Sequence, residues 1–463
     1  MRMGDFVRKL LAAGTGNKLN EFMRKPAYLW ALAVLTAISY GLGGEVALYT
    51  VFALIVAFTA FCGEDLTPML PLLVFGYISV SPDNNPGQNA GSVFSGASGV
   101  YVACLGVVIA GALLYRVIRD RKQMFRNHGR FTIGLVVLTA AYMLSGIGTA
   151  GYGSLAVKNV IYGLLQGAAL LVPYWLMVGA VDWKKHDSYW AWMAVAAGCL
   201  LVFEALWIYL TRDILVAGVV DRTQIYTGWG MYNNMGGMLV FMIPFAFWLA
   251  LQSKKPFVGY LLGMLMLLGV FLSCSRSSML LGTASYLVCC LLMPAGKYST
   301  LRWGVLLGIA LAAGIALVIC WDTVSTALGQ LLDDTNMHSR VDIYGQGLGE
   351  FARNPVFGSS FYPEWGLSYH WSQTDLIEYM PARWHNTPVQ LLAATGLVGF
   401  AAYGFHRFQT VKLALKRKNS MDMLIIISIG TILAGSLVDC HMFNVGPGMF
   451  YAILLAWLEK RGE

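Results

Sequence analysis

Long apolar stretches separated by short polar segments fill the chain from residue 27 onward. About 20 apolar residues in an α-helix cross the roughly 30 Å of hydrocarbon in a bilayer. The pattern predicts fourteen candidate spans, at residues 27–44, 46–62, 66–80, 97–118, 131–148, 157–181, 189–211, 235–251, 256–273, 277–293, 303–321, 388–405, 422–439 and 444–458. The second and third are separated only by Gly63-Glu64-Asp65. They could therefore form one broken or re-entrant pair, and twelve spans are the alternative.

The longest interval without a span covers residues 322–387. Within it, Ser339 and Asp342 predict the start of a helix, and Asn354-Pro355 predicts its end. The expected fold is an all-α polytopic membrane protein with about 12–14 transmembrane helices and one large, partly helical extracytoplasmic loop. Its parts are an N-terminal segment that could lie at the membrane interface, the first eleven helices, the loop, and the last helices with a short C-terminus, at residues 1–26, 27–321, 322–387 and 388–463.

Composition and charge agree with this pattern and give it an orientation. The chain is 57% hydrophobic and only 12% charged, whereas soluble domains carry about 25% charged residues. Its net charge of +8 does not indicate nucleic-acid binding, because the Lys and Arg residues lie in short inter-helix loops. With a cytoplasmic N-terminus, 25 of the 32 Lys and Arg residues lie inside, as the positive-inside rule requires. We therefore expect a bacterial inner-membrane protein with both termini in the cytoplasm and residues 322–387 outside.

The few basic residues on the predicted outer side are the candidates for chemistry. They include Arg222, Arg276, Arg340 and Arg383, and His385-Asn386 opens the twelfth span. Guanidinium groups bind phosphates through two parallel hydrogen bonds and keep their charge. Several of them at one membrane face would suit a lipid pyrophosphate. An imidazole beside them could take the proton from an acceptor hydroxyl.

Each candidate also has a purely structural interpretation. Arg276 could extend from a helix end to the interface, Arg222 could pair with Asp221 or Asp213, and His385 could cap the next helix. Further candidates are Asn234 as a cap of the eighth span, Glu204 inside the seventh, and Asp439 and His441 at an outer helix end. No spaced carboxylate cluster or Cys/His pattern is present, so we expect neither a metal nor a cofactor.

Taken in order, these segments resemble the O-antigen ligase and polymerase superfamily. The resemblance covers roughly the second half of the chain and rests on Arg222 through Asn234, Ser275-Arg276, Arg340, Asn354-Pro355-Val356-Phe357-Gly358, and His385-Asn386 before Gly396-Leu397-Val398-Gly399. It implies transfer of a glycan from undecaprenyl pyrophosphate to a glycan, lipid or cell-wall acceptor outside the cytoplasmic membrane. A polymerase of lipid-linked repeat units would use the same chemistry.

The resemblance also assigns roles to residues. It implies that Arg222, Arg276 and Arg340 bind the pyrophosphate and that His385 is catalytic, with Asn234, Arg383, Asn386 and Asp342 in supporting positions. A transporter or flippase is the alternative from another functional class. Such proteins are often built from two related halves with broken helices at the bilayer midplane, and this chain shows no internal repeat.

Overall fold

The structure, a computed structural model, describes residues 15–79, 96–145, 147–148, 154–183, 187–216, 219–228, 230–294, 299–308, 334–360 and 384–461. The helices are α1 Thr15–Phe22, α2 Pro26–Leu42, α3 Glu45–Cys62, α4 Leu70–Ile78, α5 Gly96–Arg126, α6 Thr132–Leu144, α7 Ser154–Ala180, α8 Asp187–Thr211, α9 Tyr232–Gln252, α10 Phe257–Leu272, α11 Arg276–Leu292, α12 Asp334–Arg353, α13 Thr387–Ala414, α14 Ser420–Gly435 and α15 Val445–Lys460. Residues 299–308 are also helical. Two short antiparallel hairpins precede α9, pairing β1 Leu215–Val216 with β2 Val219–Val220 and β3 Tyr226–Thr227 with β4 Gly230–Met231.

This architecture confirms the predicted all-α polytopic membrane fold. Six of the described helices are long and apolar enough to cross a membrane, and six shorter apolar helices accompany them. Two helices continue beyond the predicted apolar spans: α5 runs past residue 118 to Arg126, and α13 runs past residue 405 to Ala414. The α5 extension is rich in Lys and Arg, and the α13 extension mixes polar and apolar residues; most of these are compatible with helix but are not marked by a hydropathy pattern. Residues 309–321 of the eleventh predicted span lie outside the described residues.

The second and third predicted spans are two separate helices. A turn at Gly63 ends α3, and a short 3-10 helix, Thr67–Met69, leads into α4. Near its start, the Leu66 amide donates to the Ala180 carbonyl at the end of α7. At its other end, Ile78 contacts Gly228 in the segment before α9. The pair therefore reaches both ends of the helix bundle, which favours the fourteen-span interpretation.

The segments predicted to be cytoplasmic contact one another at one end of the bundle, which we call the basic end. Arg24 forms ion pairs with Glu64 and Asp65 at 3.3 and 3.1 Å. The Arg116 guanidinium donates to the Gly63 carbonyl at 2.6 Å, and the Tyr189 hydroxyl donates to the Met23 carbonyl. The segments predicted to lie outside meet at the opposite end, which we call the loop end.

Helix α9 is the centre of the bundle. Every residue from Met235 to Ala250 is buried, and the helix packs against α8, α10, α11 and α14. A helix that is apolar on all sides is expected only where protein surrounds it. Its first turn at the loop end is therefore the place where several surrounding loops converge.

Helix α13 is interrupted within its length at Gly396, whose φ of 60° and ψ of −159° are not helical. We call this interruption the opening of α13. The backbone groups released there bond to the segment after α12. Residues Leu397 and Val398 donate to the carbonyls of Pro355 and Val356, and the carbonyls of Ala393 and Ala394 accept from Ser359 and Ser360, at 2.8 to 3.2 Å. All four released groups are thus paired, as the interior of a membrane protein requires. The two glycine-containing motifs that the sequence places apart form one hydrogen-bonded unit.

Helix α12 is longer than predicted. It begins at Asp334, before the expected start at Ser339, and ends at Arg353 directly before Asn354-Pro355 as predicted. A small apolar cluster of Ile343, Trp384 and Ala393 packs α12 against the start of α13. The helix of the large loop therefore lies directly over the segment that carries His385.

Candidate functional site at the loop end

Arg222 lies in the segment that precedes α9, beside the first turn of that helix. A short 3-10 helix, Arg222–Gln224, begins after Asp221, whose carboxylate accepts from the amide and hydroxyl of Thr223. The exposed guanidinium of Arg222 lies over the ring of Tyr232, 5.1 Å from its centroid. Within the described residues Arg222 forms no ion pair with Asp221 or Asp213, so the proposed structural pairing is absent there. The cation stands beside the start of α9.

The turn between α10 and α11 packs on the same part of α9. A Cβ added to Gly236 would meet the Ser273 hydroxyl at 2.6 Å and Ser278 at 2.8 Å, so the helix and the turn are in close contact. Cys274 has a positive φ of 53°. Arg276 is the exposed first residue of α11. A cation at a helix N-terminus is electrostatically unfavourable unless an anion compensates both charges, so this location suits an anionic ligand.

His385 does not cap α13. The cap is Asn386, whose side chain accepts from the Val389 amide at 3.0 Å and donates to the Leu437 carbonyl at 2.8 Å. His385 itself has a φ of 49°, a left-handed conformation that is uncommon for residues other than glycine. Backbone strain of this kind persists only where surrounding contacts maintain it, and it is concentrated at functional sites. The sequence-based capping interpretation of His385 was therefore wrong, and its imidazole is directed elsewhere.

The imidazole of His385 faces Asp439, from the loop between α14 and α15. Nδ1 lies 3.4 Å from Oδ1 of Asp439, and the two side chains are 25% and 14% exposed. Burial opposes ionisation of the carboxyl group, but the facing imidazole of His385 and the nearby His441 outweigh it and keep the pKa of Asp439 well below its usual range. The Cys440 amide adds a hydrogen bond to the same oxygen at 2.6 Å. The arrangement is an ionised carboxylate beside a partly accessible imidazole.

His441 connects this pair to α9. Its buried ring lies between two glycines, and a Cβ at Gly237 or Gly435 would approach it to 2.9 or 2.8 Å. The ring also makes an edge-on contact with Phe241. Burial lowers the pKa of His441, and the charge of Asp439 opposes that shift. Adjacent glycines of α9, Gly236 and Gly237, thus contact the Arg276 turn and the His385 side of the site, respectively.

The large loop approaches the site through α12. The Tyr344 hydroxyl donates to the His385 carbonyl at 3.5 Å, a long contact. The backbone of Arg340 lies one helical turn before Tyr344, while its side chain falls outside what the structure describes. Asp342 is exposed, and Arg383 lies outside the described residues. The Tyr344 contact therefore places α12, the helix that contains Arg340, beside His385.

The remaining candidates, and the basic residue Arg353, have structural partners or stand apart. The Asn444 side chain donates to Asn234 at 2.7 Å, which ties the first turn of α9 to the start of α15. Arg353 pairs with Glu350 at 2.5 Å at the end of α12. Glu204 is fully buried inside α8, and neither of its carboxylate oxygens has a hydrogen-bond partner within the described residues. Asn234 is thus a positioning residue for the site, and Arg353 stabilises its own helix.

Sequence reasoning ranked Asp439 second and missed Tyr232 and Gln390. The Gln390 side chain accepts from the Trp384 amide at 3.1 Å, so it fixes the backbone just before His385. The unusual φ of His385 and Cys274 leaves no signal in the residue types. Within the part of the chain that the structure describes, no group of three His, Cys, Asp or Glu residues is arranged to hold a metal.

A comparison with known proteins matches part of the chain that includes this region. A family model described as O-antigen ligase matches residues 261–404, from α10 into α13. The match contains Arg276, Arg340 and His385, and it ends after the opening at Gly396. Arg222 and Asp439 lie on either side of it. The comparison with curated proteins finds no match.

Proposed function

We propose that this chain, whose residues 261–404 match the O-antigen ligase family model, transfers an undecaprenyl-pyrophosphate-linked oligo- or polysaccharide to an acceptor at the outer face of the cytoplasmic membrane. The family and the apolar helices make it a multi-pass bacterial membrane protein with a glycan ligase- or polymerase-like role in polysaccharide biosynthesis. The observation that supports the specific reaction best is the pairing of His385 with Asp439 beside the α9 start.

In the proposed reaction, an acceptor hydroxyl attacks the anomeric carbon of the donor glycan. The new C–O bond forms as the bond to the pyrophosphate breaks. His385 takes the hydroxyl proton through Nε2, because Nδ1 faces Asp439. The ionised Asp439 fixes the ring and stabilises the imidazolium that forms. Such an arrangement of carboxylate, imidazole and hydroxyl is a general way to activate a weak nucleophile.

The leaving group is undecaprenyl pyrophosphate, which gains negative charge as the bond breaks. Arg222 and Arg276 are exposed at the loop end and next to the first turns of α9. Arg340 is added as the third cation from its place on α12. Preorganised cations stabilise developing charge more effectively than water does. We therefore propose a glycosyltransferase that works without a metal ion or cofactor, with the guanidinium groups in the role that a metal has elsewhere.

The test is an assay of purified protein with lipid-linked glycan and a candidate acceptor, read as a change in product mobility on a gel. Wild-type protein should form product in the presence of EDTA. Offering the lipid-linked repeat unit alone distinguishes a polymerase, which extends it, from a ligase, which needs a separate acceptor. A strict requirement for added divalent cation, or movement of intact donor across a vesicle bilayer without transfer, would contradict the proposal.

A further inference from the structure

A groove at the basic end lies between the start of α6 and the last turns of α13. It encloses about 340 Å³, a size within the range of about 300–1,000 Å³ that is usual for small-molecule sites. Arg130 forms one wall, and Phe405, Phe408, Lys412 and Lys416 form the other. The groove is at the opposite end of the bundle from His385, so it is not part of the proposed transfer site.

The lining combines three cations with exposed aromatic rings and contains no acidic side chain. Phe405 and Phe408 are 42% and 62% exposed. Their spacing with Lys412 places rings and charge along one face of α13, with the charge towards the helix end. A ligand that matches this lining carries an anionic group beside an apolar chain.

The wall at Arg130 is fixed by a buried carboxylate. Glu459 accepts from the Arg130 amide at 2.8 Å and from the Tyr174 hydroxyl at 2.5 Å. Gly129, with a φ of 77°, makes the turn, and any Cβ there would meet the Tyr174 hydroxyl at 2.3 Å. The carboxylate thus binds backbone rather than the guanidinium, and the three lining cations have no ion pair within the described residues. Gln409, which also lines the groove, has a buried side-chain oxygen without a partner among those residues.

From this lining we infer that the groove binds the anionic headgroup of a membrane phospholipid, with the acyl chains along Phe405 and Phe408. Basic pockets between transmembrane helices recognise anionic headgroups in this way. The phosphate would lie among Arg130, Lys412 and Lys416. The function of the bound lipid would be to join α6 and α13 at their basic ends.

The test is native mass spectrometry of the full-length protein in detergent, with phosphatidylglycerol, phosphatidylcholine or inorganic phosphate added separately. Wild-type protein should retain phosphatidylglycerol in preference to phosphatidylcholine. The triple variant Arg130→Ala/Lys412→Ala/Lys416→Ala should lose that preference, by about fivefold for each cation removed. The pair Lys412→Arg/Lys416→Arg should keep it, because the charges remain.

The matched control removes the same number of cations from exposed sites outside the groove, as Lys122→Ala/Lys254→Ala/Lys255→Ala. It should bind phosphatidylglycerol like wild type. An equal loss in this control would reduce the effect to general surface charge and overturn the inference. So would equal retention of phosphatidylcholine by wild type. Displacement of the lipid by millimolar inorganic phosphate would assign a site for soluble anions instead.

Discussion

Nδ1 of His385 lies 3.4 Å from Oδ1 of Asp439, although the two residues come from different helix connections. His385 precedes α13, and Asp439 follows α14. The Thr387 amide donates to the Ser436 carbonyl at 2.8 Å, which holds these two connections side by side. The pair is therefore built by the packing of two helices, and its two members can be changed separately.

Replacing His385 tests the proposed general base. His385→Ala should lower the transfer rate by about 10²–10⁴-fold, the usual contribution of general-base catalysis. His385→Asn is the conformational control, since Asn adopts positive φ more readily than most residues. It should fold like wild type and remain as inactive as the Ala variant. Near wild-type turnover by His385→Asn would exclude this residue as the base.

Asp439 is proposed as a positioning residue, and its replacement should separate turnover from binding. Asp439→Asn keeps the size of the side chain but removes the charge that faces the imidazole. We expect a lower kcat with an unchanged KM for the lipid-linked donor, and partial recovery in Asp439→Glu. A purely structural role predicts equal losses in both variants together with a lower Tm, which thermal unfolding would reveal.

The arginines are expected to act in donor binding through their geometry as well as their charge. Arg222→Lys and Arg276→Lys preserve the cation but lose the bidentate fork. Each should weaken donor binding, and the Ala variants should weaken it further, with expression unchanged because both side chains are exposed. The measurement is the KM for donor at saturating acceptor. Full activity of Arg276→Ala would return that residue to the role of an interfacial cation.

The opening of α13 gives a prediction about stability with a control in the same helix. Gly396→Ala would place Cβ 2.5 Å from the Val356 backbone at a positive φ, and should destabilise the fold by more than about 1 kcal/mol. Gly404→Ala meets nothing within 4 Å and should be neutral or slightly stabilising, since Ala favours helix. Thermal unfolding in detergent compares the two. Equal Tm values would contradict the opened-helix geometry.

The buried imidazole of His441 should make stability depend on pH. Burial lowers its pKa in the folded protein, so below about pH 6.5 the unfolded chain binds a proton that the folded protein does not. Stability should therefore decrease as pH falls through that range. The Tm of wild type should decline between about pH 7.5 and pH 5, while His441→Gln should decline less. Parallel curves for the two proteins would assign the dependence to other groups.

The proposed orientation is tested by labelling. In a cysteine-free background, Leu348→Cys on α12 should react with a membrane-impermeant thiol reagent in spheroplasts, because Leu348 is 46% exposed at the loop end. Ser420→Cys, exposed at the basic end, should react only after the membrane is permeabilised. The reverse pattern would place the candidate site in the cytoplasm and exclude an extracytoplasmic reaction.

The sequence predicted the helices and the candidate cations because both leave local signals. Hydropathy marks each span, and Arg276 is conspicuous on the side where cations are rare. The pairing of His385 with Asp439 could not be read in the same way, because it depends on how α13 and α14 pack. The continuation of α5 and α13 beyond their apolar spans is not marked by hydropathy, because polar residues such as those of 119–126 also form helix.

The bonding between residues 355–360 and 393–398 also limits how the large loop can be exchanged between proteins. A chimera that replaces residues 334–360 but keeps the host α13 would rely on a foreign segment to pair Ala393, Ala394, Leu397 and Val398. Each unpaired backbone group inside the membrane costs several kcal/mol. The loop segment and the opening of α13 therefore form one structural unit, and a stable chimera should exchange both together.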